Sequence, residues 1–212
     1  MGAKSTASLA LNHNSLSQPP KRRRNPIDRE KIIAGVRLIL EGIGEDPERE
    51  GLLKTPQRVA EFYEEVFTGI GEDASEQVTL YTAENRDELI IVRDISFYSI
   101  CEHHLLPFFG KAHIAYIPGD NKITGFSHLA RVIETLARRP TTQEALTSEA
   151  ANALRRSIKP KGILIVTEAE HLCLTMRGVK KPGSVTVTSA IRGCLRKEAT
   201  RAEAFALIKG AK

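Results

Sequence analysis

The first apolar residues at helical spacing lie directly after Asp28 and continue to Gly42. This pattern predicts a helix with Asp28 as its N-cap and Gly42 at its end. A second helical pattern follows over residues 55–69, where Thr55 is the predicted N-cap, Pro56 the first helical residue and Gly69 the end. The folded part of the chain is therefore expected to begin with two amphipathic helices.

Beyond these helices the pattern changes to the alternation that is typical of β-strands. Strands are predicted over residues 88–97, 110–117, 162–167 and 184–190, with a shorter strand over 172–177. A turn at 118–121 and two helices, over about 127–138 and 143–157 and separated at Pro140, follow the second strand. A last helix covers about 198–209. This order predicts an α+β domain with an antiparallel sheet and an N-terminal helical extension.

The composition divides the chain of 212 residues into three parts. Residues 1–26 are rich in Ser, Asn, Gln, Pro, Lys and Arg without apolar periodicity, which predicts a disordered basic tail. Its block Lys21–Arg24 carries much of the net charge of +5; we interpret it as a solvated tail rather than a localisation signal or a phosphate-binding arm. Residues 27–72 form the helical region, and residues 73–212 form the main α+β domain.

The bulk composition excludes several classes of protein. Hydrophobic residues at 41% and charged residues at 27% are ordinary values for a globular protein, and no apolar run is long enough to cross a bilayer. The first residues lack the apolar core of a secretory signal, so we expect a cytoplasmic protein without membrane contact. Three cysteines, an odd number, argue against a disulfide framework and for thiols with a chemical role.

Two short clusters combine thiols and imidazoles. One is Cys101-Glu-His103-His104 after a predicted strand, and the other is His171-Leu-Cys173. Thiolate and imidazole are good Zn²⁺ ligands, and a Cys-x-x-His turn brings two of them to one ion. A third ligand from a distant strand would leave the fourth position for water, as in catalytic zinc sites. Each residue alone also fits a buried thiol or a hydrogen-bonded core histidine.

Other polar residues have both a chemical and a structural interpretation. His103 and His171 can move protons at neutral pH, or can orient a ligand or lie at the surface. Arg131 and Arg177 fit phosphate binding as well as solvated surface charges. Glu144 begins a helix, where a carboxylate favours the helix dipole, but it can also accept hydrogen bonds from a guanine edge.

Many residues around these clusters match one known family in order. They are Ser99–Gly110, Ala115–Pro118, Gly125–Ser127, Arg138–Pro140, Gln143–Glu144 with Leu146–Thr147, His171–Gly178, and Thr55-Pro56-x-Arg58 in the second helix. These motifs resemble those of the GTP cyclohydrolase I family. The resemblance covers residues 28–209 with few gaps.

The resemblance implies a tunnelling fold, an antiparallel sheet with two helices packed on one side, behind an N-terminal helical region. It implies zinc-dependent hydrolysis of GTP at C8, with release of formate and rearrangement to 7,8-dihydroneopterin triphosphate for tetrahydrofolate or pterin synthesis. It further implies a homodecamer of two stacked pentamers with active sites at subunit interfaces.

The same resemblance assigns roles residue by residue. The implied zinc ligands are Cys101, His104 and Cys173. The implied catalytic residues are His103 and His171 as acid–base groups at the purine imidazole ring, with Ser127 and Gln143 near the ribose and the reacting ring. The implied substrate contacts are Glu144 at the guanine edge, and Arg131, Arg177, His128 and Arg58 of a neighbouring subunit at the triphosphate.

Two positions depart from the family pattern. His128 stands where the family usually has Lys, and Glu61 stands at another usual Lys position on the second helix. Both changes reduce the positive charge expected near a polyanion. The third cysteine, Cys194, replaces a usually hydrophobic residue, so we predict a buried structural thiol.

Three rival functions follow from these features. The first is a related tunnelling-fold enzyme acting on another purine or pterin, which the two charge departures favour. The second is a zinc-containing homologue that binds a nucleotide without turnover, although such a protein would need neither His103 nor His171. The third is a nucleic-acid binder that uses the basic block; it is the least favoured because the sequence has no aromatic stacking platform or groove-reading motif.

Overall fold

The computed structural model describes residues 26–83 and 88–210. The predicted tail lies outside these residues, apart from Pro26. The helices are α1 (Arg29–Gly42), α2 (Thr55–Val66), α3 (Phe126–Ala137), α4 (Gln143–Ile158), the single turn α5 (Leu172–Thr175) and α6 (Glu198–Lys209). The strands are β1 (Leu80–Thr82), β2 (Ile90–Cys101), β3 (Pro107–Ile117), β4 (Lys122–Thr124), β5 (Pro140–Thr141), β6 (Gly162–His171) and β7 (Thr186–Gly193).

Five strands form one sheet in the order β5-β2-β3-β6-β7. All neighbours are antiparallel except the two-residue strand β5, which runs parallel to the end of β2. A bulge interrupts the pairing of β2 with β3 between Val92 and Ile95, where Asp94 has a φ of 59°. Strands β1 and β4 pair separately. The predicted α+β class with an antiparallel sheet is confirmed.

Helices α3 and α4 pack on one face of the sheet, as predicted. Their buried residues, among them Leu129, Ile133 and Leu154, belong to one apolar cluster with Phe108 and Ile114 of β3. Alternate residues of a strand point to opposite faces, and Ala115 next to Ile114 therefore belongs to a second apolar cluster. In that cluster α6 covers part of the other face, through Ala204 and Ile208.

The two N-terminal helices pack against each other. Asp28 caps α1 as predicted, because its side chain accepts a hydrogen bond from the Lys31 N–H. The predicted cap of α2 is wrong: Thr55 is already helical, and Lys54 occupies the cap position without a side-chain hydrogen bond. Helix α2 also ends at Val66, before Gly69, whose N–H instead donates to the Arg138 carbonyl of the α3 C-cap at 2.9 Å.

The predicted short strand over 172–177 is also wrong. Residues Leu172–Thr175 form one helical turn, and the Met176 N–H donates to the Leu172 carbonyl at 3.0 Å. The physical reason lies in the neighbouring strand. Because β3 begins at Pro107 and pairs Phe108 with His171, no strand backbone remains for residues beyond His171 to pair with. Among the described residues, none of the helices combines the length and the apolar character needed to cross a membrane.

Candidate active site

A tight loop at the end of β2 holds the first cluster. Cys101 is the last residue of β2, and its N–H and C=O bond to Leu106 and Leu105 respectively, both at 2.9 Å. Leu105 adopts a φ of 53° to close this loop. The Glu102 N–H donates to the Thr141 carbonyl at 3.1 Å, which fastens the loop to β5. These backbone bonds turn the chain so that His104 lies back against Cys101.

The second cluster reaches the first because β6 runs antiparallel to β3 and ends in the α5 turn. Ligand atoms of Cys101, His104 and Cys173 lie within 4.8 Å of one another. Two thiols and an imidazole are the donors that zinc prefers. Cys101 is buried, Cys173 half-buried and His104 exposed, so the group has an apolar side and an open side. The predicted ligands are thus together, and their chemistry fits a zinc ion.

Burial and the neighbouring Cys101 disfavour ionisation of the Cys173 thiol in the absence of a cation. Burial raises the pKa of the Cys173 thiol, and the charge and hydrogen bond of Cys101 raise that pKa further; Arg177 opposes both. A divalent cation reverses this preference because it binds the thiolate. The arrangement therefore suits a bound metal better than two free thiols.

His171, the last residue of β6, has a fixed ring. The ring stacks on Phe108, with 4.7 Å between centroids and 1° between planes, and its Nε2 lies 2.7 Å from the Gln143 Oε1. Burial lowers the pKa of His171, while the nearby Glu144 carboxylate opposes that shift. The structure thus orients this histidine from two sides.

Gln143 and Glu144 begin α4 with different surroundings. The Thr142 side chain caps this helix by accepting from the Ala145 N–H. Gln143 is fully buried, and its amide bonds to β6 and β7 as well as to His171. Glu144 is exposed and lines a cleft of about 350 Å³ between α4 and β7. Its carboxylate is available to a ligand, whereas the Gln143 amide is already occupied.

His103 and Arg177 lie beside the group of Cys101, His104 and Cys173, the metal-site cluster. The Nδ1 of His103 is 3.9 Å from the Cys101 Sγ, and its ring contacts that of His104 edge to face. Arg177 donates from Nη1 to the His104 Nε2 at 2.7 Å. Both side chains are exposed. A titratable group and a permanent cation therefore flank the open side of the cluster.

The remaining predicted residues lie elsewhere in the chain. The first half of α3 contains Ser127, His128 and Arg131. The last residue of α3, Ala137, accepts a hydrogen bond from Ser99, which precedes Cys101 by two residues on β2. At 1.5 Å per residue, Ser127 lies about 15 Å along the helix from that end. Ser127 and His128, at the start of α3, therefore lie away from the end of this helix that is close to Cys101. Arg58 is exposed on α2.

The two departures from the family pattern each have a partner. Glu61 accepts a hydrogen bond from Arg29 of α1 at 2.7 Å, so its negative charge is paired. The Nδ1 of His128 donates to the Gln77 carbonyl at 2.7 Å. Cys194 is half-buried rather than buried as predicted, because it begins a surface turn after β7.

Sequence reasoning missed two residues that shape the site. Phe108 supports the His171 ring, and Thr167 accepts from the Gln143 amide. Phe108 lies just before the predicted strand 110–117, and only the register that pairs Phe108 with His171 reveals its role. Thr167 is a polar residue directly after the apolar run 163–166, and this position was the available signal for it.

Comparisons with known proteins agree on one family. The model of the GTP cyclohydrolase I family matches residues 32–209. A protein named GTP cyclohydrolase 1 from Pelotomaculum thermopropionicum is 61% identical over 86% of this chain and 98% of its own length. Proteins of the same name from Carboxydothermus hydrogenoformans and Clostridioides difficile are 60% and 58% identical, over 86% and 87% of this chain and 95% and 98% of theirs.

Proposed function

The chain belongs to the GTP cyclohydrolase I family, and we propose that it performs the family's reaction at the site around Cys101, His104, Cys173 and His171. It is a hydrolase that acts on GTP. The observation that carries the site assignment is that the ligand atoms of Cys101, His104 and Cys173 lie within 4.8 Å of one another. His171, which Gln143 holds, precedes Cys173 by two residues. The expected products are formate and 7,8-dihydroneopterin triphosphate.

Zinc is the metal that the donor set favours. Cys101, His104 and Cys173 would hold it, and three protein ligands leave the open position that catalytic zinc sites have. When bound, the ion supplies Lewis-acid chemistry and activated water for the hydrolysis. The exposure of His104 leaves the open side accessible to substrate.

His171 and His103 are the proposed proton carriers. A proton donor near purine N7 assists attack at C8, because protonation draws electrons away from the bond that opens. The lowered pKa of His171, caused first by burial, makes its protonated ring a readier donor. His103, at the open side of the cluster, is the proposed second acid–base group.

Charged side chains on two sides of the site are proposed to orient GTP. Glu144 would accept the N–H groups of the guanine edge, since a carboxylate offers two acceptor oxygens to neighbouring donors. Arg177, beside His104, would donate to phosphate oxygens through its planar guanidinium. Together these contacts would hold the purine imidazole ring over the metal-site cluster.

A site shared between chains is the proposal for Ser127, His128, Arg131 and Arg58. The direction of α3 supports it, because the first half of this helix lies away from the metal-site cluster of its own chain. A second copy can present these groups to the cluster, which agrees with an assembly of two stacked pentamers. The pairing of Glu61 with Arg29 reduces the repulsion that Glu61 would exert on phosphates.

Turnover of GTP by the zinc-replete protein tests the reaction and its site. We expect formate and a pterin that becomes fluorescent after oxidation, and neither product from Cys101→Ala or His171→Ala. Cys194→Ala is the matched control, since Cys194 lies outside the metal-site cluster, and it should keep activity. Absence of turnover despite bound zinc would instead favour the rival enzyme on another purine or pterin.

Mixing two inactive variants tests the shared site. Arg131→Ala and His171→Ala chains, unfolded together and refolded, should regain activity, because about a quarter of the composite sites then combine two intact contributions. Refolding each variant alone is the control. If the mixture stays inactive while refolded wild type is active, each site is built from one chain.

A further inference from the structure

The buried amide of Gln143 has only one orientation that its surroundings accept. Its Nε2 lies 3.0 Å from the carbonyl oxygens of both Thr167 and Thr186, which can only accept hydrogen bonds. An amide turned by 180° would place its oxygen against these two carbonyl oxygens, and neither of them can donate to it. The amide therefore directs its Oε1 toward His171.

A ring of hydroxyl groups strengthens this orientation from behind. The Oγ1 atoms of Thr147, Thr167 and Thr188 lie 2.7 Å from one another, and Thr147 also donates to the Gln143 carbonyl at 2.7 Å. Each hydroxyl has one hydrogen, so the three hydroxyls supply three of these four contacts, and the Thr167 oxygen also accepts from the Gln143 Nε2 at 3.2 Å. The network joins α4 to β6 and β7 and adds to the contacts that hold the Gln143 amide.

The orientation of Gln143 determines the tautomer of His171. The Oε1 of an amide cannot donate, so at a separation of 2.7 Å the Nε2 of His171 must carry a hydrogen. The stack on Phe108 keeps the plane of the His171 ring parallel to the Phe108 ring. Among the described residues no hydrogen bond is made by the His171 Nδ1, which leaves this nitrogen to the site.

We propose that Gln143 is a positioning residue, which holds the Nε2–H of His171 and presents Nδ1 as the nitrogen that meets the substrate. Gln143 then acts through His171 and does not touch GTP. In the proposed reaction the protonated ring gives its Nδ1 hydrogen to the purine N7, so that the Nδ1–H bond breaks as the N7–H bond forms, and the hydrogen bond from Nε2–H to Gln143 stays intact throughout. The kinetic part of this inference rests on the proposed function; the tautomer does not.

Nitrogen NMR of the full-length, zinc-replete chain labelled with ¹⁵N-histidine tests the tautomer directly. His171→Asn identifies the signals of residue 171. We expect one neutral tautomer in the wild type, with hydrogen on Nε2 only. Gln143→Met keeps the length of the side chain without an acceptor and should give both tautomers. A wild-type ring with hydrogen on Nδ1, or an unchanged tautomer in Gln143→Met, would overturn the proposal.

One further variant separates positioning from a general loss of packing. Thr188→Val disturbs the same hydroxyl ring without a bond to Gln143 or His171, so the tautomer should not change. The tautomer of the wild-type ring provides a test even if Gln143→Met does not fold. A mixed tautomer in Thr188→Val would contradict the assignment to the Gln143 oxygen.

Kinetics of GTP turnover give the second measurement. A positioned acid–base group contributes about 10²–10⁴-fold, so a loosened His171 in Gln143→Met should lower kcat about 10- to 100-fold. The KM for GTP should stay within about twofold of the wild type, because no substrate contact is lost. A raised KM with unchanged kcat would mean that the amide binds GTP, contrary to the proposal. If no form of the chain turns over GTP, the proposed function fails, and the NMR result still decides the tautomer.

Discussion

Replacing Gly110 by Ala is expected to disturb the sheet directly beneath the active site. A Cβ built on Gly110 lies 1.8 Å from the carbonyl oxygen of Glu168 and 2.7 Å from the Cα of Ala169. Both are backbone atoms of β6, so no side chain can rotate away to relieve the contact. Strands β3 and β6 must therefore separate locally by about 1 Å, which is large for a close-packed interior.

The size of the effect follows from the cost of overpacking. Extra methyl groups in a packed core cost about 1–3 kcal/mol, and a clash with backbone belongs at the upper end, near 3 kcal/mol. For a chain of this size each kcal/mol lowers the Tm by about 2–4 °C, so we expect a loss of about 6–12 °C. Because Ala169 precedes His171 by two residues on β6, kcat for GTP should fall as well.

Thermal unfolding followed by circular dichroism measures the effect, with Gly35→Ala as the matched control. A Cβ on Gly35 meets no atom within 4 Å, and Gly35 lies inside α1. Alanine is favoured over glycine in a helix by up to about 1 kcal/mol, so this variant should be slightly more stable. A Tm of Gly110→Ala within about 2 °C of the wild type would refute the close approach of the two strands.

Three other predictions concern the metal, the ring support and the pH dependence. Elemental analysis after dialysis should find zinc in the wild type and in Cys194→Ala but not in Cys173→Ala; equal zinc in all three would exclude the metal-site cluster. Phe108→Leu should cost about 1 kcal/mol in denaturant unfolding and lower kcat without raising KM, since it removes the support of His171 and no substrate contact. Acidification below pH 6.5 should reduce the free energy of unfolding. Burial lowers the pKa of His113, although Glu168 and Asp94 oppose that shift. Below pH 6.5 the unfolded chain therefore binds a proton at His113 that the folded chain excludes. His113→Gln should weaken that dependence, and an unchanged slope would show that another group causes it.

Much of the fold could be predicted because local patterns carry it. The cap of α1, the periodicity of α1 and α6 and the alternation in β3 are short-range features. Helices α1 and α6 match the predicted ranges, and β3 ends at Ile117 as predicted but begins at Pro107 instead of residue 110. Errors occurred where a neighbouring strand decided the outcome. Residues 172–177 read as a strand, but the start of β3 at Pro107 leaves them without a partner, so they turn into α5. Likewise β2 and β6 extend beyond their predicted ends because pairing continues to Cys101 and His171.

The sequence by itself determined which residues carry the chemistry. Cys101-x-x-His104 and His171-x-Cys173 place thiol and imidazole groups, which are metal ligands, at short spacing in the sequence. The surrounding motifs identify the family. The tertiary structure decided how these groups are held. Only the register of β3 with β6 brings Phe108 against His171, and only the packing of α4 on β6 and β7 surrounds Gln143 with acceptors. These contacts join residues far apart in the chain, and a hydrogen-bond direction depends on every neighbour of a buried amide, which no local pattern records.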